Sequence, residues 1–125
     1  MHKEQRISDS VALKDSILRG IELTKAKDVV VLDLSEIENA VTNYFIICSG
    51  ESTTQIEGIG DTIIRNSRKE LQQKPWHQEG KGFSDWILLD YIDVVVHVFL
   101  EESRHFYNLE DLWADAKRTD IPNID

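Results

Sequence analysis

One cysteine, Cys48, stands in a chain of 125 residues, so no disulfide can form within it. No apolar run approaches the roughly 20 residues needed to span a bilayer. The N-terminal stretch Met-His-Lys-Glu-Gln-Arg-Ile-Ser-Asp-Ser is charged and leads into no apolar segment of the kind a secretory signal carries. These features point to the cytoplasm, with no membrane partner. Basic charge is also scarce: 14 Lys and Arg stand against 23 Asp and Glu, a net charge of -9. The basic residues are scattered through Lys14, Arg19, Lys25, Lys27, Arg65, Arg68 and Lys69, with no run dense enough to attract a phosphate backbone. Direct sequence-specific nucleic-acid binding is therefore not expected, and a partner with a basic surface fits better. Six glycines and two prolines form no repeat or low-complexity tract. The length suits one self-sufficient core.

The apolar pattern predicts an α/β fold, strands with helices packed on them. Ile7, Val11, Leu18 and Ile21 share a stripe at helical spacing, predicting a helix over residues 8–27 with Ser8 or Ser10 as its N-cap. The β-branched run 28–34 predicts a strand buried on both faces. Residues 35–43 predict a loop, and Tyr44-Phe-Ile-Ile-Cys48 a second buried strand stopped by Ser49-Gly50. Ile56, Ile59, Ile63 and Leu71 fall on one face of a helix over 52–73, ended by Lys74-Pro75. Gly58 and Gly60 inside that helix suggest a close approach to the sheet. Residues 76–79 predict a short edge strand and Gly80-Lys-Gly82 a flexible turn. Two antiparallel strands over 86–90 and 94–100 come next, then short helices over 103–106 and 108–116. A single domain over 1–118 with a loose tail over 119–125 is expected.

Candidate chemistry is sparse. Ser49-Gly50-Glu51-Ser52 lies between a strand and a helix, where free N–H groups can hold a phosphate, but the same residues meet the ordinary needs of a helix start. Spaced dinucleotide glycines and a Gly-Lys-Ser/Thr loop are both missing. Asp90 and Asp93 flank a corner and could bind a divalent ion, yet no catalytic spacing is met. His2, His77, His97 and His105 offer no pair at i, i+4. Cys48 inside Ile-Ile-Cys fits a small core residue better than a nucleophile. No metal or cofactor is expected.

The segment from Asp85 to Trp113 carries more information. Alternation puts Val94, Val96 and Val98 on one face and Val95, His97 and Phe99 on the other. The all-valine face belongs to the core. Trp86 or Ile87 joins the second face, depending on register. A helix of the chain covers that face, or a partner does. Residue chemistry alone leaves the two balanced.

Several runs together carry a family likeness: Asp28 to Leu34, Tyr-Phe-Ile-Ile-Cys-Ser-Gly, Glu79-Gly80, Trp86 with Leu-Leu-Asp, Asp93-Val-Val-Val-His-Val-Phe, Arg104, Tyr107, Leu109-Glu110 and Leu112-Trp113. Over nearly its whole length the chain resembles the ribosomal silencing factor, or Iojap-like, family. The resemblance implies a mixed sheet similar to that of nucleotidyltransferases without their catalytic residues. It also implies a non-enzymatic translation repressor that binds the fourteenth protein of the large ribosomal subunit, blocking small-subunit joining when nutrients are short. Carried over by motif position, the partner-binding residues would be Trp86, Tyr91, Asp93, His97, Phe99, Arg104 and Tyr107. Two positions depart from the family pattern. Ile92 stands where the family usually has glycine, and isoleucine at a positive φ is strained. Asn43 stands where the family tends to have aspartate. The competing expectations are a nucleotide-handling enzyme built on the Ser49-Gly50 turn and a homodimer formed through the aromatic face.

Overall fold

The computed structural model describes the backbone of residues 3–80, 82 and 84–123, with side chains from Asp9 onward. Its elements run α1 (Lys3–Glu22), β1 (Lys27–Asp33), β2 (Tyr44–Gly50), α2 (Thr53–Leu71), β3 (His77–Glu79), β4 (Trp86–Asp90), β5 (Val94–Leu100), α3 (Glu101–Tyr107), α4 (Leu109–Leu112) and β6 (Lys117–Ile121). The strands make one sheet in the order β3-β4-β5-β2-β1-β6. β2 and β5 run parallel, from Tyr44 opposite Val94 to Gly50 opposite Leu100. Every other neighbouring pair is antiparallel. A parallel pair needs a crossover connection, which α2, β3 and β4 supply. β2 is buried at every position, as its unbroken apolar run demands of a central strand covered on both faces.

α1 and α2 cover one face. Leu13, Ile17 and Ile21 of α1 and Ile56, Ile59 and Ile63 of α2 meet the inward valines of β5 together with Ile46 and Cys48 of β2. Fully burying each such aliphatic side chain contributes about 1.5–3 kcal/mol relative to leaving it exposed. The α1 stripe differs from the expected one: Leu13 and Ile17 are core residues while Val11 and Leu18 are only partly buried, and the Ile7 side chain lies outside the described residues. The helix starts at Lys3, so Ser8 and Ser10 lie within it rather than at its cap.

The close helix approach falls at Gly20, not where the α2 glycines suggest. A Cβ on Gly20 would lie 3.2 Å from Asn66 Cβ and 3.3 Å from Ile63 Cα, so α1 meets α2 there. A Cβ on Gly58 would meet nothing within 4 Å, and one on Gly60 would meet Ile87 Cγ2 at an ordinary 3.7 Å. Beside the crossing, Glu70 accepts from Ser16 Oγ at 2.6 Å and from Arg19, and Asn66 Nδ2 donates to the Ser16 carbonyl.

The second face is covered unevenly. Val30, Leu32, Phe45, Ile47, Val95 and Phe99 form a core there, with Leu109, Trp113, Ala116 and the loop residues Ile37 and Ala40 packed on it. The segment expected to be a loose tail contributes to the sheet instead. Residues 119–121 belong to β6, which pairs antiparallel with β1 from Asp33 opposite Lys117 to Val29 opposite Ile121. The physical reason is the free edge of β1, whose backbone groups need partners. Ile124 and Asp125 lie outside the described residues.

Candidate functional site

The hairpin of β4 and β5 fixes which side chains share the second face. Trp86 stands opposite Phe99, Leu88 opposite His97, and Asp90 opposite Val95. Trp86 therefore joins His97 and Phe99, while Ile87 and Leu89 are buried against the helical layer. The row on β5 is closed: Val95, His97 and Phe99 are 8%, 5% and 1% exposed. The chain's own residues cover it, which corrects the expectation of an open His97/Phe99 surface. Phe45 meets His97 edge-on at 4.8 Å, Trp86 stacks on Phe99 at 4.8 Å, and Tyr107 lies 4.5 Å from Trp86. Trp113 closes on Phe45 at 5.7 Å.

The row on β4 stays partly open. Trp86, Leu88 and Asp90 alternate with buried neighbours and keep intermediate exposure. At about 3.3 Å per residue they form a strip on the order of 13 Å long. Tyr107 and the outward-facing Phe106 border one end. At the other end Val41, Trp76 and Ile92 form a shallow groove with Asp90 and Val95. Trp76 and Val41 are each 78% exposed and Ile92 55%. Large apolar side chains gathered this way mark an interaction surface more often than an ordinary one. Trp76, Val41 and Leu88 were not singled out in the sequence, because no periodicity marks a tryptophan just outside a three-residue edge strand or a valine in a loop.

His97 lies beneath this strip. Trp86 Nε1–H donates to His97 Nδ1 at 3.1 Å. An indole nitrogen is a donor only, so Nδ1 must accept and the ring proton sits on Nε2. That Nε2 is buried with no hydrogen-bond partner. Burial pushes the imidazole pKa down to about 4, because a charged ring would lose its hydration.

Two other expected contact residues serve the interior. Tyr91 is buried on the helical face, its hydroxyl 2.8 Å from Ser67 Oγ, and burial raises its pKa. Arg104 is 9% exposed and ties four elements together. Its Nη1 donates to the Asp28 carbonyl at 2.6 Å and to Ser49 Oγ at 2.8 Å, and its Nε donates to Glu110 Oε1 at 2.8 Å. It thereby fastens α3 and the start of α4 to the ends of β1 and β2. Buried, neither side chain meets an incoming partner in this conformation.

Asp93 sits at the hairpin corner, where its carbonyl accepts from the Asn43 and Tyr44 amides at 3.0 and 3.2 Å. Asn43 uses its side-chain amide, which aspartate lacks, to donate to Ser10 Oγ at 2.9 Å. Ile92 adopts φ +75°, and the Asp93 amide donates back to the Tyr91 carbonyl at 3.0 Å, closing a γ-turn around it. Asp90 Oδ1 accepts from the Ile92 amide at 2.7 Å and holds the turn. A left-handed conformation is costly for a β-branched residue. Ile92→Gly is therefore expected to stabilise the fold by about 0.5–1 kcal/mol, after allowing for the extra freedom of glycine in the unfolded chain. Thermal unfolding checks this, and a lowered melting temperature would show that the corner carries no strain.

The Ser49-Gly50 turn is occupied by its own chain. Ser49 Oγ accepts from Arg104, the Glu51 amide donates to Gln55 Oε1 at 2.7 Å, and Ser52 Oγ caps α2 through the Gln55 amide at 3.1 Å. A Cβ on Gly50 would come within 2.9 Å of Ile56 Cγ2, so glycine is required by packing. Cys48 is fully buried, and burial pushes its thiol up to about 12, with nearby Arg104 opposing. Such a thiol is a poor nucleophile. Among the described residues no group of three or more His, Cys, Asp or Glu is placed to hold a metal ion, and no helix is long and apolar enough to cross a membrane. His2 lies outside the described residues.

Comparison with known proteins places this arrangement. The family model for the ribosomal silencing factor during starvation, RsfS, matches residues 7–125. The ribosomal silencing factor RsfS of Bacillus subtilis is 39% identical over 97 residues, spanning 78% of this chain and 80% of that protein. The chloroplastic protein Iojap of Arabidopsis thaliana is 32% identical over 118 residues, 92% of this chain and 47% of that longer protein. A crystal structure of a Chromobacterium violaceum protein superposes with a TM-score of 0.76 at 25% identity, covering 91% of this chain and 94% of the other. The mixed six-stranded sheet and the match over nearly all of its length show that the chain belongs to the RsfS family of ribosomal silencing factors.

Proposed function

We propose that the chain represses translation without catalysis, by docking on the large ribosomal subunit and occupying the surface the small subunit needs. The contact would be with the fourteenth protein of that subunit, in the cytoplasm, when nutrients are short. The observation that carries the reading is the open β4 strip, a partly exposed Trp86–Leu88–Asp90 row with exposed Phe106 and Tyr107 at one end and exposed Val41, Trp76 and Ile92 at the other. Aromatic side chains half-sunk in a rigid surface supply most of the energy at protein interfaces. The net charge of -9 favours a basic ribosomal protein and speeds the encounter.

Of the expected contact residues, Trp86, Asp93 and Tyr107 reach the surface directly. His97, Phe99, Tyr91 and Arg104 would support it from inside. A subunit-joining experiment tests the reading. Large subunits incubated with the chain should fail to form complete ribosomes with added small subunits, as followed by light scattering. Normal joining at saturating concentrations of the chain would sink the proposal.

A further inference from the structure

His97 occupies a position where an aliphatic side chain would complete the second core, yet it brings an imidazole with an orphaned Nε2–H. A buried donor without a partner lowers stability, because it gives up its hydration and gains no bond in return. Such a loss kept in a native fold is expected where the side chain serves something other than stability. What the ring supplies is one acceptor, Nδ1, facing Trp86 Nε1 at 3.1 Å.

Stacking alone does not fix the Trp86 indole. It lies on Phe99 at 4.8 Å with 30° between the planes, and 4.5 Å from Tyr107. Rotation about the outer side-chain torsion of tryptophan has two broad wells, and a ring turned over between aromatic neighbours keeps most of its contact area. A hydrogen bond is directional, and only one of the two orientations brings Nε1 to His97. We infer that His97 is a positioning residue, whose Nδ1 selects the orientation in which Trp86 presents its ring along the open β4 strip. The consequence for docking rests on the proposed function above, whereas the orientation itself is a property of the free chain.

Leucine and asparagine at position 97 have nearly the same shape, and asparagine places its Oδ1 close to where Nδ1 stood. In the free chain, the Trp86 indole N–H should exchange with solvent much more slowly than that of the exposed Trp76. In His97→Leu the melting temperature should hold or rise, because the orphaned donor is gone, while the indole loses roughly 10-fold or more of its protection. His97→Asn should restore the protection although it is less stable than His97→Leu. Affinity for isolated large subunits should follow the indole and not the melting temperature, falling about 10-fold in the leucine variant and recovering with asparagine. An indole equally protected in His97→Leu overturns the inference. If protection is lost but affinity holds in both His97→Leu and Trp86→Ala, positioning stands and the docking reading fails. Should neither variant fold, nitrogen NMR of the wild-type imidazole decides: a hydrogen-bonded, unprotonated Nδ1 supports the inference, and a protonated Nδ1 overturns it.

Discussion

Arg104→Ala should unfold at a temperature roughly 10 °C below the wild type, a loss of about 3 kcal/mol. The Arg104 and Glu110 side chains are 10% and 13% exposed and 2.7 Å apart. Removing the guanidinium leaves the Glu110 carboxylate with little water to replace it, and the Asp28 carbonyl and Ser49 hydroxyl lose a donor. Arg118→Ala is the matching control. Its bridge to Asp120 is also 2.7 Å, but its side chain is 50% exposed, so the change should cost under about 0.5 kcal/mol. Replacing Arg104 and Glu110 together by leucine should recover most of the loss, since neither charge is then buried alone. Were Arg104 purely a partner contact, the single change would leave thermal unfolding untouched.

The second large effect is loss of stability in mild acid. The imidazole of His97 has an ordinary pKa of 6.5 and one of about 4 in the fold. Between these values the unfolded chain binds a proton that the folded chain refuses. Stability is therefore full above pH 6.5 and falls as the pH drops toward 4. The lowered pKa of about 4 against 6.5 corresponds to a loss on the order of 3 kcal/mol. Glu70, held below its ordinary value of 4.5 by hydrogen bonds from Arg19 and Ser16, begins to add its own loss only below that value. Denaturant unfolding at stepped pH should show the slope between 6.5 and 4.5 in the wild type and its absence in His97→Leu. An equal slope in both proteins would assign it to other groups.

How much of this was legible in the sequence depends on which force decided each feature. The valine face of β5, the buried run of β2 and the Ile56, Ile59 and Ile63 stripe of α2 follow from local periodicity and burial. The strained corner at Ile92 was also legible, because residue chemistry and the family pattern disagree there. β6 was not. Lys-Arg-Thr-Asp-Ile is exposed at four positions and half-buried at the fifth, so it carries no apolar alternation, and its strand geometry comes from the unpaired edge of β1. Coverage of His97 and Phe99 was equally hidden. It depends on Arg104 anchoring two short helices, one of four residues with no side-chain cap. The same anchoring explains why motif matching gathers contact residues and support residues together. Trp86 and Arg104 both belong to the motif, but one looks outward along β4 and the other ties the covering helices down.

The most direct test is the affinity of isolated large ribosomal subunits for the purified chain and three single variants, each first shown to be folded. Trp86→Ala and Tyr107→Ala remove aromatic rings from the open strip, and Leu23→Ala removes an exposed side chain just beyond the end of α1 as a control. Trp86→Ala should weaken co-sedimentation with large subunits by about 30-fold or more and Tyr107→Ala by a smaller factor, while Leu23→Ala leaves it unchanged. Wild-type affinity in both folded strip variants would show that the β4 strip is not the docking surface.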